Sequence, residues 1–338
     1  MKQVVATALI LLLLFFLLPL LLIRGGSPAD QPDDAPNGTL PLDRTVVSPP
    51  PAAGADETAA VRVKLPDGTV SEMTMADYLW RVVAAEMPAS FESEALKAQA
   101  VAARTYAEVK MAAAVANHPD ADVCTDINCC QAYIEPAAAA ANWGENADAY
   151  TEKIKAAVSG TDGMVALYDG APIQAVFFSS AAGRTVDAVE VWGNSVPYLT
   201  SVESPEGDEV PGYHSTVSVP LETFKSTILA EAPDADLSGD ASGWLSNIVH
   251  NSAGGVEKVD VGGVTMSGGT VRTLFGLRSA NFTVTADSES LTFSVTGYGH
   301  GVGMSQYGAN ALAKEGKPYQ DIIKWYYTGV TVARMDEK

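Results

Sequence analysis

The sequence predicts an α+β ectodomain carried on a single N-terminal transmembrane helix, on three observations. Residues 4–23 are twenty uncharged, almost entirely apolar positions. Helical spacing with clear start and stop signals dominates about 74–155, and from about 160 onward short β-branched runs alternate with turn residues. The organisation that follows is a cytoplasmic stub and signal anchor over 1–25, a disordered linker over 26–59, and an ectodomain over 60–335. Within the ectodomain, about 74–155 is helical and about 160–335 strand-rich.

The apolar run, at about 1.5 Å per residue, spans roughly 30 Å, the thickness of a bilayer core. A cleaved signal peptide would have a shorter apolar core and an Ala-x-Ala site, so the run reads as a retained anchor. Lys2 and Arg24 nearly balance and leave orientation undecided by charge. The stub before the anchor is so short that the working part of a single-pass protein is expected outside the cytoplasm. Residues 24–59 are rich in Pro, Asp, Gly, Ser and Ala, a composition that buries too little apolar surface to offset its ordering entropy. A net charge of −20 without any Lys/Arg cluster excludes phosphate-backbone recognition, so no nucleic acid partner is expected.

In the ectodomain, 61–65 and 70–73 read as a hairpin joined by Pro66-Asp67-Gly68-Thr69. Thr74 then caps a helix with Asp77 at its third position. Helical spacing puts Leu79, Val82, Val83 and Glu86 on one stripe, and Pro88 stops the helix. Glu86 therefore occupies a position where a core residue is expected. Apolar surroundings raise a carboxyl pKa, as a general acid near neutral pH requires; the competing reading is a solvated glutamate at a helix end. A second helix is expected over about 92–116, with Ala95, Ala98, Val101 and Ala102 inward. Strands are expected at 164–168, then after Asp169-Gly170 at 173–179, and at 256–264, 270–274, 281–285 and 291–295. A last helix follows over about 305–314.

That last helix is preceded by a loop in which Gly297, Gly299, Gly301 and Gly303 alternate, with His300 among them. Such spacing lets backbone approach a ligand closely, and histidine titrates near neutrality. The loop lacks the Lys-Ser/Thr of a phosphate loop and does not fit the dinucleotide fingerprint. A structural histidine is the other reading. All three cysteines fall in one window with His118: Cys124 follows it after five residues, Cys130 after five more, and Cys129 adjoins Cys130. Two chemistries fit, a tetrahedral zinc site with Cys129 or water as fourth ligand, and a disulfide with one thiol left over. Joint ligation by adjacent cysteines is expected to strain the backbone.

Three stretches taken in order resemble the stage II sporulation protein D family of peptidoglycan lytic transglycosylases. They are VVAAEMPASFESEALKAQAVAARTY at 82–106, FFSSAAGRTVDAVEVWG with VPYLTSVESPEGD at 177–208, and GHGVGMSQYGA at 299–309. His118, Cys124 and Cys130 also match the His-x5-Cys-x5-Cys zinc motif of clostridial members, with Cys129 where a histidine is expected. The resemblance implies zinc rather than a disulfide, and because the thiol loop follows directly from the helix after Glu86, a structural zinc shaping the cleft is expected. It further implies cleavage of the MurNAc-GlcNAc bond of denuded glycan to give 1,6-anhydro-MurNAc ends, with Glu86 acting as acid and then base. Gln99, Arg104, Ser179, Ser180, His300, Ser305 and Tyr307 become candidate sugar or transition-state contacts, Arg104 having an ion pair as its other reading. Tyr106 and Trp192 are candidates to stack on sugars or merely to pack. The implied setting is septal wall degradation during engulfment, from the mother-cell septal membrane facing the forespore. The implied partners are glycan strands, a wall amidase-endopeptidase and a polytopic membrane protein. A non-catalytic, glycan-binding enhancer of an amidase is the alternative role.

Overall fold

The computed structural model describes residues 54–113 and 117–335. The apolar run at 4–23 and the tether up to residue 53 lie outside these. Among the described residues no helix is long and apolar enough to cross a membrane.

Folded chain begins earlier than the composition suggests. A single turn, α1 (Ala55–Thr58), belongs to the folded unit although the linker was expected to reach Ala59, because the Ala55 and Asp56 N–H groups donate to Asp162 and the Asp56 carboxylate is buried. The hairpin follows as expected, β1 (Ala60–Lys64) against β2 (Val70–Thr74). Thr74 caps α2 (Met75–Glu86) by accepting from the Asp77 N–H, and Leu79, Val82 and Val83 are fully buried beneath it. The next helix, α3 (Ser93–Ala112), ends short of 116 where Ala113 turns extended and its N–H donates to the Lys110 carbonyl. Its Ala95, Ala98, Val101 and Ala102 have no exposed surface, and their small size admits close neighbours on several sides.

Beyond it, β3 (Val123–Cys124) adds in parallel to β1, then come α4 (Pro136–Trp143), α5 (Ala147–Ser159), β4 (Met164–Tyr168) and β5 (Ala171–Pro172). The continuous strand expected over 173–179 does not form. A tight turn, Val176 N–H to Gln174 carbonyl at 2.9 Å, separates β5 from β6 (Phe177–Phe178), and β6 pairs in parallel with Met304–Ser305 instead.

After α6 (Ala188–Trp192) a second core assembles from β7 (His214–Pro220), α7 (Leu221–Glu231), β8 (Leu245–His250), β9 (Val256–Val261), β10 (Val264–Ser267), α8 (Gly268–Phe275), β11 (Phe282–Ala286) and β12 (Ser290–Thr296). It holds two three-stranded sheets, ordered β10-β9-β8 and β11-β12-β7. Two expectations fail here for local reasons. The strand at 256–264 is a hairpin, since Gly262 and Gly263 both take positive φ (56° and 81°) and turn the chain in two residues. The strand at 270–274 is helical. Ser267 accepts from the Thr270 N–H, left-handed Gly276 closes the far end, and these caps outweigh the β-branched composition between them.

The chain then returns to the first core. β13 (Met304–Ser305) leads into α9 (Gln306–Lys314), which packs with α10 (Tyr319–Tyr326) against α3, and β14 (Thr331–Arg334) closes on β4. The fold is mixed α+β, and its first core joins the early helices to the C-terminal segment, with α3 at the centre.

Candidate active site and thiol cluster

Glu86 ends α2 at the wall of a cavity of about 410 Å³, where it is the sole carboxylate among the lining residues. Its Oε1 accepts from the Ala132 N–H at 2.7 Å and its Oε2 from Gln306 Nε2 at 3.2 Å. Burial pushes its pKa up, and the two hydrogen bonds draw it part of the way back. Gln306 is aimed by its place at the start of α9 and by Gln99, whose Oε1 accepts from the same amide nitrogen at 3.5 Å. Neither Ala132 nor Gln306 was expected to take part. Both are distant from Glu86 in sequence; Gln306 lies within the 299–309 stretch, whereas Ala132 takes part only through its backbone N–H.

The structure redistributes the expected sugar contacts. Arg104 is buried, its guanidinium forked onto Asp56 with Nη2 to Oδ2 at 2.5 Å and Nη1 donating to the Met164 carbonyl at 2.9 Å. It fastens α1 to α3 and β4 and does not reach the cavity, so the ion-pair reading holds. Gln99 is likewise buried and acts on Glu86 only through Gln306. Ser305 is buried and caps α9, accepting from the Gly308 N–H while its hydroxyl donates to Glu206. Ser180 is buried and exchanges backbone hydrogen bonds with Tyr298. The Ser179 carbonyl accepts from the Tyr307 N–H, and the Tyr307 ring packs edge-on against Phe91 at 4.9 Å. Of the seven expected contacts only His300 lines the cavity.

His300 is held as wall rather than as proton carrier. Its Nε2–H donates to the Phe177 carbonyl and its Nδ1 accepts from the Val302 N–H, both at 3.1 Å, so both ring nitrogens are occupied. Burial lowers its pKa to about 4, which leaves it neutral at physiological pH. The glycines around it are required by the packing of the chain itself. Gly303, at φ 79°, lies where a Cβ would run into the Val176 carbonyl, and a Cβ on Gly297 would sit 2.8 Å from the Ser180 carbonyl oxygen. Of the two aromatic candidates, Tyr106 lines the cavity, and Trp192 is 43% exposed with its ring 5.7 Å from that of His300.

The thiol loop also lines this cavity, through Cys129 and Cys130. The ligand atoms of His118, Cys124, Cys129 and Cys130 lie within 4.8 Å of one another, and all three thiols are free. His118 Nδ1–H donates to the Ala121 carbonyl at 3.0 Å, which frees Nε2 to face the Cys130 sulfur at 3.3 Å. Cys129 and Cys130 converge because both of their N–H groups donate to the Asp126 carbonyl, and neither takes a positive φ. The strain expected of adjacent ligands is absent from φ. Burial pushes the Cys130 thiol up to about 12. Three thiols and an imidazole nitrogen, converging and oriented by a neighbouring carbonyl, are a donor set that fits a soft, tetrahedral divalent cation.

A larger cavity, about 560 Å³, is lined by Gly54, Trp80, Lys155 and Asp162 among others and shares no residue with the Glu86 cavity. Size alone favours it, but the acid with a raised pKa and the thiol loop both belong to the smaller one.

A family model described as Stage II sporulation protein matches residues 67–168, a stretch that contains Glu86 and the whole thiol cluster. Stage II sporulation protein D of Bacillus subtilis (strain 168) is 34% identical over 343 residues, covering 99% of this chain and 97% of that protein. Its counterpart in Bacillus amyloliquefaciens is 36% identical over 269 residues, 79% of this chain and 76% of that protein. An amidase enhancer of Bacillus subtilis (strain 168) is 32% identical over 301 residues, 74% of this chain but 39% of that protein.

Proposed function

The chain belongs to the stage II sporulation protein D family, and from that premise we propose that it is a peptidoglycan lytic transglycosylase of septal wall degradation during engulfment. The observation that carries the reading is Glu86 as the sole carboxylate lining its cavity, with a raised pKa. Hydrolysis by the usual glycosidase route needs a second carboxyl group as nucleophile or water activator. A muramyl residue instead carries its own nucleophile, the 6-hydroxyl, and one acid suffices.

Protonated Glu86 gives its proton to the glycosidic oxygen as the bond to the anomeric carbon breaks. The resulting carboxylate takes the proton of the 6-hydroxyl as that oxygen closes on the anomeric carbon, which leaves a 1,6-anhydro end and restores the acid. The Ala132 N–H and the Gln306 amide stabilise the carboxylate between the two steps. Peptide-free strands incubated with the full-length protein should yield anhydro-muramyl ends by mass spectrometry. Reducing ends or no product would overturn the activity. The amidase-enhancer relative motivates the second reading, in which a wall amidase is accelerated while glycan stays intact.

The proposed setting is a single-pass anchor at 4–23 holding the ectodomain outside the cytoplasm, beside an amidase-endopeptidase and a polytopic membrane protein. Zinc would be held by His118, Cys124, Cys129 and Cys130, and a four-ligand set braces a loop rather than activating water. Protein purified without added metal should therefore carry zinc near one equivalent by elemental analysis, and Cys130→Ser should carry far less. Equal, near-zero contents in both would end the zinc proposal.

Gln306→Leu removes a hydrogen bond that favours ionised Glu86, so its pKa should rise further. Because the free enzyme must hold the proton, the alkaline limb of kcat/KM against pH should move to higher pH. An unmoved or lowered limb would disprove the role given to Gln306.

A further inference from the structure

Glu206 is a buried carboxylate that the mechanism above does not use and that does not line the Glu86 cavity. Its Oε1 accepts from the Ala181 N–H at 2.7 Å and from the Ser305 hydroxyl, and its Oε2 accepts from the Ser204 hydroxyl at 2.6 Å. Because the Ser204 hydrogen goes to Glu206, the 2.7 Å contact between Ser204 Oγ and the Tyr326 hydroxyl has Tyr326 as its donor. One side chain thus gathers the chain after β6, the loop at 204–206, the end of α10 and the residue that caps α9. A Cβ on Gly308, in the first turn of α9, would run into the Tyr326 hydroxyl, Ser204 Oγ and the Glu206 carboxylate, so the group lies hard against that turn. Gln306, whose amide holds Glu86, is the residue after Ser305.

Resting on the activity proposed above, we infer that Glu206 is a positioning residue: through Ser305 it fixes the first turn of α9 and so holds the Gln306 amide on the Glu86 carboxyl. Without Glu206 the Ser305 hydroxyl is left with the Ser179 carbonyl at 3.3 Å, and Ser204 and Tyr326 lose the acceptor at the end of their chain. The turn is then free to shift, and a displacement of about 0.5 Å takes the 3.2 Å bond from Gln306 out of hydrogen-bonding range. Charge and geometry predict opposite signs at Glu86. Removing a nearby negative charge lowers a carboxyl pKa, whereas losing the Gln306 hydrogen bond raises it. Burial holds the titratable neighbours of Glu206, Tyr213 and Tyr326, as neutral phenols. The titratable groups that line the Glu86 cavity with it, Tyr106, Cys129, Cys130 and His300, stay the same when Glu206 is replaced.

The test follows the Glu86 carboxyl by carboxyl-carbon NMR in full-length protein labelled at its glutamates, the signal being assigned by its loss in Glu86→Gln. Beside it runs the pH profile of kcat/KM for anhydro-muramyl ends. Glu206→Ala should move the Glu86 titration and the alkaline limb to higher pH, the direction expected of Gln306→Leu, and should lower kcat per folded molecule about tenfold, the low end for a hydrogen bond to a charged group. Glu206→Gln keeps an oxygen for Ser305 and Ala181 and should restore most of the wild-type behaviour, while Glu206→Ala should add little to Gln306→Leu. Should Glu206→Ala fail to fold, Ser305→Ala cuts the same link and should give the same upward shift. A Glu86 titration that is unmoved or lowered in the variant that folds overturns the assignment and leaves the activity standing. If wild type forms no anhydro-muramyl ends while the variant still raises the Glu86 titration, the activity falls and the positioning role stands.

Discussion

Glu86→Gln should reduce the release of anhydro-muramyl ends from peptide-free strands by on the order of 10³-fold or more, since one group serves both proton transfers. Glutamine is nearly isosteric and keeps a carbonyl oxygen for the Ala132 N–H, while the Gln306 amide can turn to present its own oxygen. The fold should therefore survive, and stability offers an independent control whose sign follows from the raised pKa. The native state holds the Glu86 proton more tightly than the unfolded chain does. The stabilisation from that proton is complete below the ordinary carboxyl value of about 4.3 and is lost as pH rises through the raised native value. Above that raised value wild type has a buried, ionised carboxylate that the glutamine variant lacks. The melting temperature of the variant relative to wild type should therefore rise with increasing pH, and the difference should be smallest as pH falls towards 4. Wild-type product formation by Glu86→Gln would exclude Glu86 as the acid. Intact strands with both proteins, together with equal acceleration of an amidase, would favour the enhancer role.

What could be read beforehand depended on how local the information is. Thr74 with Asp77 marks a helix start within a few residues, and that helix forms with that cap. The thiol cluster was legible for the same reason, as all its ligands fall between 118 and 130. The second half of the Glu86 site was not. Ala132 and Gln306 reach the carboxyl from 46 and 220 residues away, and a backbone N–H carries no residue signature. His300 was singled out on sound chemistry, yet Phe177 and Val302 consume both ring nitrogens, a fact that exists only once β6 lies beside the glycine loop. The strand expected at 270–274 failed where capping residues outside the window overrode its β-branched content.

Arg104 is the case where chemistry suggested the cleft and packing decided otherwise, and it carries the largest expected cost in stability. Its side chain is 2% exposed and that of Asp56 6%, so removing either partner leaves the other charged in an interior that cannot solvate it. Arg104→Ala should cost about 3–5 kcal/mol by chemical denaturation, the usual penalty for an orphaned buried charge. In the absence of the guanidinium, Asp56 would keep the long hydrogen bond from the Gly163 N–H at 3.4 Å. Asp56→Ala should cost a similar amount, whereas the double variant Asp56→Ala with Arg104→Met, which removes both charges and keeps most of the apolar stem, should recover much of the loss. Losses under about 1 kcal/mol in both single variants would contradict the burial of the pair. Because Arg104 does not line the Glu86 cavity, kcat/KM per folded molecule should change little in a single variant assayed below its unfolding transition. Activity lost at unchanged stability would put Arg104 back in the cleft as a substrate contact and would require α1 to leave its place on α3.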